Sequence, residues 1–132
     1  MKKIIFLAII FFGFQIGFAQ EKTNTSNEIL YDTKGIDVKP EFPGGMDAFY
    51  QFIGKHYNCP KVKKLEGKVY VNFVIEKDGS LTALKVLRDI GYGTGKEAIR
   101  VLMLSPKWIP GEQNGQKVRC LFSLPISIIA RW

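Results

Sequence analysis

SPKWIPGEQNGQKVRCLFSLP, residues 105–125, decides how this chain folds. Pro106 and Pro110 bar a helix, and Trp108 between them is a large apolar group that needs cover. Asn114-Gly115 is a pair suited to a tight turn with positive φ. Beyond the turn, Val118 to Ile128 reads as a last strand: Val118, Cys120, Phe122 and Leu124 share one face, while Arg119, Leu121 and Ser123 share the other. The matching punctuation upstream is PEFPGGMDAFYQFI at residues 40–53, where two prolines and adjacent glycines exclude both helix interior and central strand.

Between these two segments the apolar periodicity changes twice. Phe49, Phe52, Ile53 and Tyr57 recur at three- and four-residue spacing and predict a helix from about Met46 to Tyr57, ended by Pro60. A basic turn, Lys61 to Leu65, follows. Val69, Val71, Phe73 and Ile75 then alternate with Tyr70, Asn72 and Glu76, the pattern of a half-buried strand. Lys77-Asp78-Gly79-Ser80 turns the chain into a return strand, Leu81 to Arg88. Gly91-Tyr92-Gly93-Thr94-Gly95-Lys96 has the glycines and lysine of a phosphate-cradling loop, but Glu97 stands where that motif needs a hydroxyl. Thr94 with Glu97 reads instead as a capping box opening a helix that runs to about Leu104, with Ala98, Val101 and Leu102 inward.

The first residues have another character. Lys2 and Lys3, the apolar run Ile4 to Phe14 and the small residues Gly17 and Ala19 form the three regions of a secretory signal peptide, residues 1–19, with cleavage expected after Ala19. The alternative is an anchor in the inner membrane facing the periplasm, but a spanning helix needs about 20 apolar residues and Gln15 interrupts this run. Residues 20–35 are polar and aperiodic and read as a flexible tether, leaving one domain at 36–132. Removing Lys2 and Lys3 takes the formal charge from +7 to +5, still basic. Export makes nucleic acid an improbable partner, and a solvated basic surface explains the charge. In an oxidising compartment Cys59 and Cys120 permit one disulfide, while Cys120 in mid-strand equally suits a buried free thiol.

Catalysis finds little support. His56 is the single histidine, with no G-x-S-x-G nucleophile motif to accompany it. Two cysteines and one histidine lack metal-ligand spacing, Asp78 belongs to a turn and Glu97 to a helix start, so no enzyme activity, metal or cofactor is expected. Trp108 is expected to cap the core rather than to hold a ligand.

Helix, strand, strand, helix, strand can be arranged in two ways. If the last strand returns beside the second, a parallel pair forms; if it crosses over to lie against the first, a three-stranded antiparallel sheet of order 2-1-3 results, with both helices on one face of an α+β fold. The last strand is then an edge, with Val118 to Leu124 open and Pro125 blunting the far end. An exposed edge binds extended peptides by β-augmentation, with backbone groups supplying affinity. Arg119, Leu121 and Ser123, projecting from the face opposite the core set, are the expected contacts. The same edge can pair with a second copy to form a homodimer.

Several separate motifs then match one family in order: FPGG, KDGS, GKEAIRVL, PKWIPGEQNG and FSLPI. Over about residues 36–128 the chain resembles the TonB C-terminal domain in the form common in Bacteroidetes. The resemblance implies a periplasmic protein-binding module of TonB-dependent transport, whose last strand takes the short peptide box of an outer-membrane transporter. The contact strand falls on Val118, Arg119, Cys120, Leu121, Phe122, Ser123 and Leu124, and a Tyr-Pro contact point on Tyr57 and Pro60. Here Asn58 and Cys59 separate that tyrosine from the proline. A full transducer resembles a membrane helix, a long Pro-rich spacer and this domain; a tether of about 16 residues spans at most ~55 Å, so a stand-alone periplasmic form is expected. The alternative is a basic envelope-binding accessory domain, using Lys61, Lys63, Lys64 and Lys68 to contact peptidoglycan or anionic headgroups.

Overall fold

The computed structural model describes residues 28–132. The signal-peptide or anchor reading, and the first part of the tether, lie outside these residues. In chain order the elements are β1 (Leu30–Asp32), a 3-10 turn (Thr33–Gly35), α1 (Gly45–His56), β2 (Leu65–Ile75), β3 (Leu81–Arg88), α2 (Thr94–Met103), β4 (Gly111–Gln113) and β5 (Gln116–Ala130).

Both helices lie against one face of the sheet and form the core with it. Phe49 and Ile53 of α1 and Ala98, Val101 and Leu102 of α2 pack on Val69, Val71, Phe73 and Ile75 of β2 and on Leu124, Ile126 and Ile128 of β5. Trp108, only 2% exposed, is the hub, with ring centroids 5.3–5.6 Å from Phe42, Phe49, Phe73 and Phe122. Edge-on contacts suit the aromatic quadrupoles, and burying an indole of this size contributes about 4–6 kcal/mol by area. The two proline-rich segments meet around it: Glu41 and Ile109 exchange backbone bonds of 2.8 and 2.9 Å.

Local chemistry builds the turns. Asp78 accepts the Ser80 amide at 2.9 Å and its hydroxyl at 2.6 Å, while Gly79 takes φ +88°. These bonds and the Lys107 ammonium, 3.1 Å away, hold the Asp78 carboxyl well below its ordinary range. At α2 the expected capping box does not form. Gly93, in the left-handed region, is the N-cap; Thr94 is already helical and donates its hydroxyl to the Gly91 carbonyl at 2.7 Å. Glu97 instead accepts the Asn58 amide at 2.8 Å and grips Arg100 at 2.6 Å, so it ties the exit of α1 to α2.

The sheet order is β1-β5-β2-β3, with β4 also paired to β5. The β3-β2-β5 centre is antiparallel, with β5 against the first strand of the hairpin, as expected. The expectation of a three-stranded, wholly antiparallel sheet is corrected by two further strands. Leu30–Asp32, read as tether, pairs parallel with Arg119–Leu121, making the sheet mixed, and Gly111–Gln113 pairs antiparallel with Gln116–Val118. Val118 to Leu121 is therefore not an open edge: it is covered by the chain's own strands. Main-chain hydrogen bonds form β1, and three residues carry no alternation from which to foresee them.

Candidate protein-binding edge

Pro125 shows which way the peptide groups of β5 face. It stands opposite Tyr70 in the ladder with β2. Proline has no N–H, so it fits a ladder only where that group would point away from the partner strand. Peptide groups alternate in direction along a strand, so Arg119, Leu121, Ser123, Ser127 and Ile129 also turn theirs away from β2. Two contacts agree: the Thr33 hydroxyl donates to the Leu121 carbonyl, and the Cys59 thiol lies 3.9 Å from the Ile129 carbonyl.

These contacts also bound a window. On this side β1 occupies Arg119–Leu121, the Tyr57–Cys59 segment reaches Ile129, and among the described residues no strand pairs with Ser123, Pro125 or Ser127 between them. Five residues of strand give an open rim about 16 Å long. Beside it, on the helix side, lies a cleft of about 250 Å³ lined by Ile53, Tyr57, Cys59, Ile126 and Ile128. On the opposite face Tyr70, Leu87 and Pro125 form a shallow exposed apolar patch next to Ser123.

The other rim of the sheet is poorly suited to pairing. β3 carries two register irregularities against β2, one around Ala83 at φ +51°, and presents Lys85 and Arg88. Bulges and charges of this kind block strand addition. β5 beyond Leu121 is straight by comparison and pairs with β2 residue for residue.

The residues expected at the site divide into several groups. Val118, Cys120 and Leu124 are buried, and Phe122 is half-buried, stacked 5.6 Å from Phe73. Arg119 is engaged: its guanidinium grips Glu76 at 2.7 and 3.0 Å and holds that carboxyl below its ordinary range, with Thr82 assisting. Leu121 lies under β1 through its backbone, while Ser123 is exposed on the open rim. Tyr57 lines the cleft and donates its hydroxyl to the Thr94 carbonyl at 2.7 Å; burial, with the nearby Cys59 thiol, raises its pKa above the ordinary phenol value. Pro60 is partly buried and its carbonyl accepts the Val62 amide. The residues the sequence reading missed are Pro125, Ser127 and the cleft formed by Ile128 and Cys59. The missing amide of Pro125 was the available signal for the orientation of the rim.

Both cysteines are free, and burial pushes the Cys120 thiol up. His56 packs its ring 4.4 Å from Phe52 at the end of α1. Among the described residues no group of three or more His, Cys, Asp or Glu side chains could hold a metal ion, and no helix is long and apolar enough to cross a membrane.

Residues 61–127, just over half of the chain, match the family model described as the C-terminal region of the Gram-negative bacterial TonB protein. No curated protein and no solved structure matches the chain.

Proposed function

Because the chain belongs to the TonB C-terminal family, whose periplasmic domains serve TonB-dependent transport by contacting outer-membrane transporters, we propose that it captures an extended transporter peptide on the open rim of β5. The observation that carries this reading is the line of outward peptide groups from Ser123 to Ser127, unpaired on that side among the described residues, next to an apolar cleft and opposite a bulged, charged rim. Main-chain bonds to that line supply affinity, and alternate side chains of the guest fall on the two faces. On the helix side they meet Ile128, Tyr57 and Cys59 and should be apolar; on the other they meet Pro125 and Tyr70. The family is one of transport and protein interaction, and the proposed role needs no cofactor. The chain's export to the periplasm belongs to the same proposal.

Proline substitution tests it without disturbing the ladder to β2, since Pro125 already occupies such a position. In fluorescence anisotropy with a labelled peptide from the N-terminal periplasmic segment of an outer-membrane TonB-dependent transporter, the wild-type chain should bind at about micromolar strength. Ser123→Pro and Ser127→Pro should each weaken binding about tenfold, the effect of one lost hydrogen bond. If both variants fold and bind like wild type, the rim is not the site. A second reading, contact with peptidoglycan or anionic headgroups, is favoured by the exposed Lys61, Lys63, Lys64, Lys68 and Arg131. Charge-driven binding of that kind falls steeply with salt, whereas strand addition does not.

A further inference from the structure

We infer that Glu28–Thr33 is a displaceable occupant of the capture rim, lying where an incoming peptide must sit to reach Arg119 and Leu121; the inference rests on the strand-addition reading. β1 runs parallel to β5 in the register Leu30 to Arg119 and Asp32 to Leu121, on the line of outward peptide groups that continues through Ser123 and Ser127. In a parallel pair the residue standing between two outward-facing partners makes both bonds, so Tyr31 supplies the main-chain contacts to Arg119 and Leu121. A guest strand longer than the open window collides with this segment.

The segment is held lightly. None of its residues belongs to the buried core; Ile29 is 67% and Leu30 43% exposed. Among the described residues its side-chain ties to the body are the exposed Glu28–Lys77 ion pair at 3.0 Å and the Thr33 hydroxyl on the Leu121 carbonyl. Exposed ion pairs contribute little, and segments with few buried contacts open far more readily than the core. The 3-10 turn Thr33–Gly35, with Asp32 accepting the Lys34 amide at 2.9 Å, leads the chain off the rim and marks where the covered part ends.

The occupant also describes its replacement. What fits this stretch is an extended segment running parallel to β5, with an acid placed to meet Lys77 and an apolar residue in the place of Leu30. Such a guest exchanges with β1 instead of adding to a vacant edge. An occupant docked ten times out of eleven raises the apparent dissociation constant about elevenfold, and releasing it restores the intrinsic affinity.

The test uses the full chain, its Tyr31→Pro variant, and two labelled probes: a synthetic peptide of residues 26–35 of this chain, and the transporter peptide above. Hydrogen exchange should show the Leu121 amide protected in wild type and fast in Tyr31→Pro, with the ladder amides of Val69, Val71, Leu124, Ile126 and Ile128 protected in both. Tyr31→Pro should bind both probes about tenfold more tightly than wild type. If the Leu121 amide is released yet neither affinity changes, the inference is overturned while the transporter reading stands on wild-type binding. If the 26–35 peptide gains while the transporter peptide binds neither protein, the inference stands and the transporter reading falls. Binding of neither probe to either protein overturns both. Should Tyr31→Pro misfold, the pair Glu28→Ala with Thr33→Val removes the two side-chain ties, and a gain of about threefold is expected; no gain overturns the inference.

Discussion

Replacing Gly79 by alanine should damage this fold far more than the same change at Gly115, although both glycines close hairpin turns with positive φ, +88° and +78°. A methyl at Gly115 meets no atom within 4 Å, so only the left-handed backbone is strained, at about 1 kcal/mol. At Gly79 the new carbon would lie 2.1 Å from the Trp108 carbonyl oxygen and 3.1 Å from its nitrogen. Those neighbours are backbone and cannot rotate aside. Relief requires the two segments to part, which breaks the 2.9 Å bond from the Trp108 amide to the Gly79 carbonyl and loosens the indole at the centre of the aromatic cluster. The lost bond is worth about 1 kcal/mol, and complete truncation of a buried tryptophan about 3–5 kcal/mol. Adding the strain and part of the packing loss gives about 3–4 kcal/mol for Gly79→Ala. In urea unfolding that difference should move the midpoint at unchanged slope, and in thermal unfolding it should lower Tm by about 15–25 °C, against about 5 °C for Gly115→Ala. Equal losses at the two sites would refute the claim that the β2–β3 turn holds Trp108 in place by direct backbone contact.

Three further outcomes are expected. Glu76→Gln should cost about 1–2 kcal/mol at neutral pH, because it leaves the bidentate Arg119 guanidinium half-paired. Since Arg119 depresses the native Glu76 carboxyl, its stabilisation is present above the ordinary glutamate value and is lost as pH falls through the lower native one; acid unfolding of wild type and variant should therefore converge at low pH, and parallel curves would contradict this. In the native state a thiol reagent should modify the partly exposed Cys59 and leave Cys120 untouched until unfolding, which mass analysis of the labelled sites checks. Trp108→Ala should lower stability by about 3–5 kcal/mol in urea unfolding, with loss of the near-ultraviolet aromatic signal; a near-neutral effect would remove Trp108 from the core.

The elements set by local chemistry were legible. Phe49 and Ile53 at helical spacing, the alternation of Val69, Val71, Phe73 and Ile75, and the Asp78-Gly79 turn are short-range patterns, and α1, β2 and β3 formed where they indicated. Trp108 between two prolines was legible as a core anchor. Thr94 and Glu97 misled because a cap depends on which residue first enters helical geometry; glycine at position 93 took the left-handed conformation and moved the start of α2 by one residue. Glu97 then found Asn58 and Arg100, partners supplied by packing. At the candidate site Ser123, named as a contact, lies exposed on the rim, and Arg119 was named as a contact although Glu76, across the hairpin, already holds it.

What the chain's residues determined alone is that β5 exists, that it pairs through an alternating apolar face, and that Pro125 can sit in it only with its missing amide outward. Which part of its outer rim is covered was decided by tertiary structure, because Leu30–Asp32 comes from 89 residues upstream of Arg119–Leu121 and binds through backbone groups that every sequence possesses. Main-chain pairing has no side-chain code, so the rim's closed and open halves follow from where the chain's path leaves a strand within reach.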